Sequence, residues 1–333
     1  MGLLKTGEMF RQVLRKVWTP WRRGVAVLAL VVPATFVLGP ACQIVGGYRS
    51  FEGAEAAAPH PCSALGKTSK VDDKQLGTLV LSNVPGDRCY WIDALEVTVQ
   101  QYATFIRETN SPNPPINWDA LGCGWKTAPS DPAAEQPSDS CAAMAMSSEQ
   151  DPFNTMKPIR CIDWCDARAF CTWANKELCG GNPNAGGGTV VPHDVPDQWG
   201  YACSPTGQWP YGSGLSPVSG ACNIGLSQAQ CQVQDMQQGV CAPTIPASFS
   251  QCVSPSGAWD MIGNVAEWTL SCGSSDGGPD TPCQVRGGSF DDNLDSVTCY
   301  SIAPYARQMR DRHIGLRCCE GLNATEMNTV GMK

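Results

Sequence analysis

The sequence predicts a loop-rich, disulfide-stapled globular domain of short strands and helices behind an export segment. Three observations carry this. The 333 residues include 19 cysteines, far more than a cytosolic enzyme carries, so the compartment is oxidising. Glycine (34) and proline (26) are plentiful, which demands extensive turns and loops. Hydrophobic residues make up 42% and charged residues 16%, a balance that folds around a core rather than staying disordered.

The N-terminus reads as an export signal. Lys5, Arg11, Arg15, Lys16, Arg22 and Arg23 precede an apolar run from Gly24 to Leu38. That run is about 15 residues, the length of a signal h-region and short for a spanning helix. An uncleaved anchor is the alternative. Arg22-Arg23 permits twin-arginine export, and Cys42 after Gly-Pro-Ala is a candidate lipidated first residue, although Leu38 sits one place early for a lipobox. Residues 1–42 hold six basic residues and one acid. The remainder has 17 basic against 30 acidic residues, a net of −13. Such a surface offers no basic face for nucleic acid. Membrane contact is expected only through the N-terminal signal or lipid anchor.

Residues 43–75 are small, polar and proline-containing, and read as a linker. The apolar pattern predicts strands at Thr78–Val84 and Tyr90–Ile92. Thr98 is placed to cap a helix in which Val99, Tyr102, Phe105 and Ile106 share a face, ending near Asn110. Residues 111–155 read as a long surface excursion pinned by Cys123 and Cys141. A short strand is predicted at Ile159–Ile162. Asp163 then caps a helix to about Lys176, and a short helix is predicted at Gln198–Cys203. Residues 204–257 read as loop stapled by Cys222, Cys231, Cys241 and Cys252. Trp164, Trp173, Trp259 and Trp268 read as core.

Six blocks in order resemble the formylglycine-generating-enzyme, or sulfatase-modifying-factor, family. They are YWIDALEVTVQQYATFIRETN (90–110), PIRCIDWCDARAFCTWANK (158–176), QWGYACSPTGQWPYG (198–212), WDMIGNVAEW (259–268), VRGGSF (285–290) and GLRC (315–318). The resemblance implies an α+β domain of the C-type-lectin-like formylglycine-generating-enzyme fold, with low regular secondary structure. It divides the chain into export signal (1–42), linker (43–75), family domain (76–320) and tail (321–333). It also implies a disulfide between Cys171 and Cys318.

The family includes copper-dependent oxidases that turn a sulfatase cysteine into formylglycine. Two thiolates about five residues apart suit copper(I). The resemblance implies Cys299 as the second, with Ser289 and Arg307 as its retained neighbours in a pocket. The first would fall between Asp292 and Leu294, where no cysteine stands, and the oxygen-pocket tryptophan is replaced by Ala266. The reading of Cys299 from the residues is half of a structural disulfide. The expectation is therefore a binding or accessory domain without standard oxidase activity, a pseudoenzyme, taking a protein, peptide or small molecule at the family pocket. An active oxidase with a rearranged copper site is the alternative.

Calcium is the expected metal. The resemblance implies Asp260, the carbonyls of Gly263 and Val265, and Glu267 as its ligands, with Asn223 opening a second site. Hard oxygen ligands on a glycine-containing loop suit calcium in an exported protein. Zinc and iron are disfavoured. Cys161/Cys165 is the one CxxxC spacing, Cys318 and Cys319 are adjacent, and the three histidines (His60, His193, His313) are scattered. No nucleophile elbow for Ser-His-Asp hydrolysis appears.

Overall fold

The computed structural model describes residues 61–84, 88–109, 116–131, 141, 155–181, 197–212, 214–225, 242–274 and 277–331. The export segment with Cys42, most of the expected linker, His60, His193, Cys231 and Cys241 lie outside the described residues. Among the described residues, no helix is long and apolar enough to cross a membrane.

Among the described residues, nine short strands form two sheets. They are β1 (Ser69–Val71), β2 (Thr78–Val84), β3 (Arg88–Asp93), β4 (Glu177–Leu178), β5 (Ala266–Cys272), β6 (Pro282–Arg286), β7 (Ile302–Ala306), β8 (Ile314–Leu316) and β9 (Cys318–Glu320). One sheet runs β1-β2-β3-β9-β4 and the other β7-β6-β5-β8. Every pairing is antiparallel except β5 with β8. Only Arg317 separates β8 from β9, so the chain passes from one sheet to the other at that residue.

The strand predicted at 78–84 is β2, and the 90–92 stretch lies inside β3. In β2 Val80, Ser82 and Val84 are buried with Leu81 and Asn83 less so, β3 is buried from Cys89 to Asp93, and Ser69–Val71 pairs along the edge of β2. The predicted helices also form, as α1 (Val99–Thr109), α2 (Trp164–Trp173) and α3 (Gln198–Cys203). Asp163 starts α2 through a capping box with Asp166, and buried Lys126 pairs with both carboxylates. Tyr102 and Phe105 of α1 meet Phe170 of α2 at ring distances of 6.0 and 5.7 Å. Asn175, at φ 59°, ends the helical stretch before the expected Lys176.

Ile159–Ile162 is not a strand. Ile159 donates its amide to Val97 and Pro158 bridges Thr98, but Cys161 stands at φ 59° and turns the chain out of any ladder. Residues 61–75, expected as linker, are folded where described. Cys62 is bonded to Cys89, β1 pairs with β2, and Asp72 accepts from buried Lys176. Within the expected tail, α4 (Ala324–Thr329) carries a buried Glu326 that accepts from Trp91 Nε1 at 3.1 Å.

Sixteen described cysteines form eight disulfides. Cys171–Cys318 and Cys179–Cys319 fasten β9 to α2 and to the end of β4. The 111–155 excursion is held by Cys123–Cys165 and Cys141–Cys161. Such crosslinks offset a low content of regular structure by restricting the unfolded chain.

Candidate functional site

The WDMIGNVAEW segment makes a tight coil before β5. Asp260 (φ 53°), Gly263 (φ 76°) and Asn264 (φ 53°) all adopt the left-handed region. Gly263 is required twice over, because a Cβ there would lie 2.5 Å from the Asn223 carbonyl oxygen. Asn264 is the hub. Its amide donates to Asn223 O (2.8 Å), its Oδ1 accepts from Asn223 Nδ2 (3.0 Å) and Thr244 N (2.9 Å), and its Nδ2 donates to Glu96 Oε2 (2.6 Å).

Three buried carboxylates, Glu96, Asp260 and Glu267, gather around this coil with buried Arg317. Arg317 Nε and Nη2 reach Glu267 Oε1 at 3.0 and 2.9 Å, and Nε also reaches Oε2 at 3.2 Å. Its remaining donors go to Asp93 O (2.8 Å) and Trp259 O (2.7 Å). Burial opposes the Arg317 charge, and Glu267, Glu96 and Asp93 together outweigh it. Burial pushes the Glu96 carboxyl well up, reinforced by the charges of Asp260 and Glu267. Burial likewise raises Asp260 from the usual 3.8 to about 6.

The expected calcium ligands stand on and beside this coil. Asp260, Gly263 and Val265 do lie together on one coil. Glu267 accepts from Arg317 and from Trp199 Nε1 (2.7 Å), so both its oxygens are engaged. Asn223 is not the start of a separate site: its side chain is tied to Asn264 and to Ala242 O (3.1 Å). Glu96 and Arg317 belong to this cluster without having been singled out by sequence. Their signal was their place inside the EVT and GLRC blocks.

A cavity of about 360 Å³ opens beside the second sheet, lined by Ala266, Ser289, Asp291, Asp292, Tyr305 and His313 among others. Ser289 donates its amide (2.7 Å) and hydroxyl (2.9 Å) to Asp292 Oδ2. Asp291 pairs with Arg312 at 2.8 Å, and His313 Nδ1 lies 2.7 Å from Asp311 Oδ1. The hydrogen bond from His313 holds Asp311 below the usual carboxylate range.

The expected trio of Ser289, Cys299 and Arg307 does not assemble there. Cys299 is buried and bonded to Cys203, which removes the thiolate a copper(I) site needs. Arg307 follows the far end of β7. Arg286 pairs with Ile302 and Pro282 with Ala306, so the antiparallel ladder sets Ser289 and Arg307 at opposite ends. Five strand residues separate those ends by roughly 15 Å. Arg307 instead joins two loops, donating to Gly122 O (2.8 Å) in one and to Gly277 O (2.7 Å) and Ser274 O (2.6 Å) in the β5–β6 connection, with its guanidinium 4.4 Å from the Trp164 ring centre. Of the expected core tryptophans, Trp164 and Trp268 are buried, and Trp173 and Trp259 are half-buried.

The family model for the sulfatase-modifying factor enzyme 1-like domain matches residues 71–322. Among solved structures, PvdO from Pseudomonas aeruginosa is similar at 16% identity and a TM-score of 0.49, covering 77% of this chain and 98% of its own. CarF is similar at 17% identity and a TM-score of 0.44, covering 71% of this chain and 87% of its own. Treponema denticola variable protein 1 is similar at 15% identity and a TM-score of 0.39, over 77% and 92%. No curated protein matches the chain.

Proposed function

The chain belongs to the sulfatase-modifying-factor family, and within it we propose an exported binding or accessory domain rather than a copper-thiolate oxidase. The observation that carries this is the Cys203–Cys299 disulfide. Copper(I) oxidase chemistry needs a pair of soft thiolates. Cys299 is committed elsewhere, and positions 292–294 are Asp, Asn and Leu. The cavity beside Ser289 supports the binding half of the reading, being large enough for a small ligand or a peptide side chain. The many disulfides support an oxidising compartment. The test is copper(I) titration of the folded, unreduced protein, with turnover of a cysteine peptide measured alongside. The expected result is no stoichiometric site and no formylglycine. Tight one-to-one copper binding lost in Cys299→Ala would sink the reading.

Calcium stabilisation is a second reading, favoured by charge. Glu96, Asp260 and Glu267 face one guanidinium, and burial with their mutual repulsion pushes the Glu96 and Asp260 carboxyls up. A divalent cation at Asp260 and the Gly263 and Val265 carbonyls would offset that repulsion. Glu267 would serve Arg317 rather than the ion, so Asp260→Asn is the informative variant. The expected result is that a chelator lowers the melting temperature of the unsubstituted protein and leaves Asp260→Asn unmoved. No response to chelator or added calcium removes the claim.

A further inference from the structure

We propose that Arg160 and Arg312, gathered at the Phe290 ring, hold a tetrahedral oxyanion, a phosphate or sulfate group that is free or carried on a small molecule. Neither arginine lines the cavity beside Ser289. Cys161 donates its amide to Asp311 O (3.1 Å), which lays Arg160 beside residues 311–312. Arg160 Nη1 donates to Arg312 O (3.1 Å), and the two guanidinium centres stand 6.0 and 5.8 Å from the centre of the buried Phe290 ring. Two cations brought to one ring repel each other unless acids compensate them. The acids nearby are committed. Asp291 Oδ2 accepts from Arg312 Nη2 (2.8 Å) and stands 3.4 Å from His313 Nε2. Asp311 Oδ1 accepts from the His313 amide (2.8 Å) and stands 2.7 Å from its Nδ1. Arg160 is left with no carboxylate partner among the described residues, and its Nε is buried with no hydrogen-bond partner. Burial pushes its guanidinium down to about 10, and the Arg312 charge adds to the push. A desolvated guanidinium, short of acceptors and repelled by its neighbour, is stabilised most by an anion. A tetrahedral oxyanion offers acceptors to both arginines at once, where a flat carboxylate serves one fork. The acidic excess of the rest of the chain repels a polyanion, so the group arrives on a small molecule.

The folded, unreduced protein is titrated at constant ionic strength with inorganic phosphate, inorganic sulfate, glycerol 3-phosphate and, as the flat monoanion, acetate. Binding is read by NMR of the arginine Nε–H groups and by the melting temperature. Phosphate, sulfate or both are expected to bind at least about tenfold more tightly than acetate. They are expected to move the Arg160 and Arg312 Nε–H signals and to raise the melting temperature with concentration. Arg160→Met is expected to weaken binding at least about tenfold and to lose that rise. Arg160 also donates to Arg312 O, so a purely structural role gives a melting temperature lowered by the same amount with and without oxyanion. That result overturns the proposal. Should Arg160→Met not fold, Arg312→Gln takes its place with the same expectation. Tighter binding of glycerol 3-phosphate than of inorganic phosphate assigns an ester as the ligand, and the reverse assigns the free ion. Acetate binding as tightly as the oxyanions, a rise that survives the substitution, or no binding by any probe overturns the proposal.

Discussion

Replacing Arg317 by methionine removes the one cation among three buried carboxylates. The side chain is fully buried and makes three contacts to Glu267 and two to main-chain carbonyls at the crossing between the two sheets. Methionine keeps most of the volume, so the loss is electrostatic and hydrogen-bonded rather than a cavity. Removing one partner of a buried pair costs about 3–5 kcal/mol, because the other charge stays buried and uncompensated. Here Glu96 and Asp260 share the exposure to that charge, which places the expected cost at the upper end. For a domain of this size about 2–4 °C accompany each kcal/mol, so the melting temperature falls by roughly 6–20 °C. Thermal and urea unfolding of the disulfide-intact protein at pH 7 measure it. The Glu267→Gln/Arg317→Met double variant is expected to lose less than the sum of the two singles. A single-variant loss below about 1 kcal/mol, or strict additivity, would refute the reasoning.

Asp260 gives a pH prediction. Its folded pKa of about 6 exceeds the usual 3.8, so the folded state holds that proton more tightly than the unfolded state. The stability tied to this proton is complete below about 3.8 and lost as pH rises through about 6. In chelator-containing buffer, denaturant midpoints against pH for Asp260→Asn should therefore show a shallower fall over that window than for the unsubstituted protein, and parallel curves would count against it. At the N-terminus, mass spectrometry of protein isolated from its source cell should find a mature chain beginning at an acylated Cys42. An unmodified Met1 terminus on the exported protein would contradict signal processing.

Local signals located β2, β3 and the first three helices, and missed the other seven described strands and α4. The 78–84 strand, the Asp163 cap and the 198–203 helix were legible because alternation and capping act over a few residues. The 159–162 strand failed for the opposite reason. Ile-x-x-Ile carries β-type composition, and the left-handed Cys161, fastened to Cys141, overrides it. The linker boundary also slipped, since residues 69–75 are polar and join the fold by pairing and by Asp72 rather than by apolar side chains.

By itself, the sequence determined the family, the oxidising compartment and the absence of a cysteine at 292–294, because motif order and composition are properties of the linear chain. Tertiary structure alone decided which cysteine holds Cys299, that Glu267 is committed to Arg317, and that Arg307 stands at the opposite end of the β6–β7 ladder from Ser289. The reason is reach. Cys203 and Cys299 are 96 residues apart, and hydrogen bonds from Arg317 to Glu267 and from Asn264 to Glu96 span 50 and 168. Periodicity, caps and turn residues act within a few positions, so they leave such pairings open until two sheets are joined through one buried arginine.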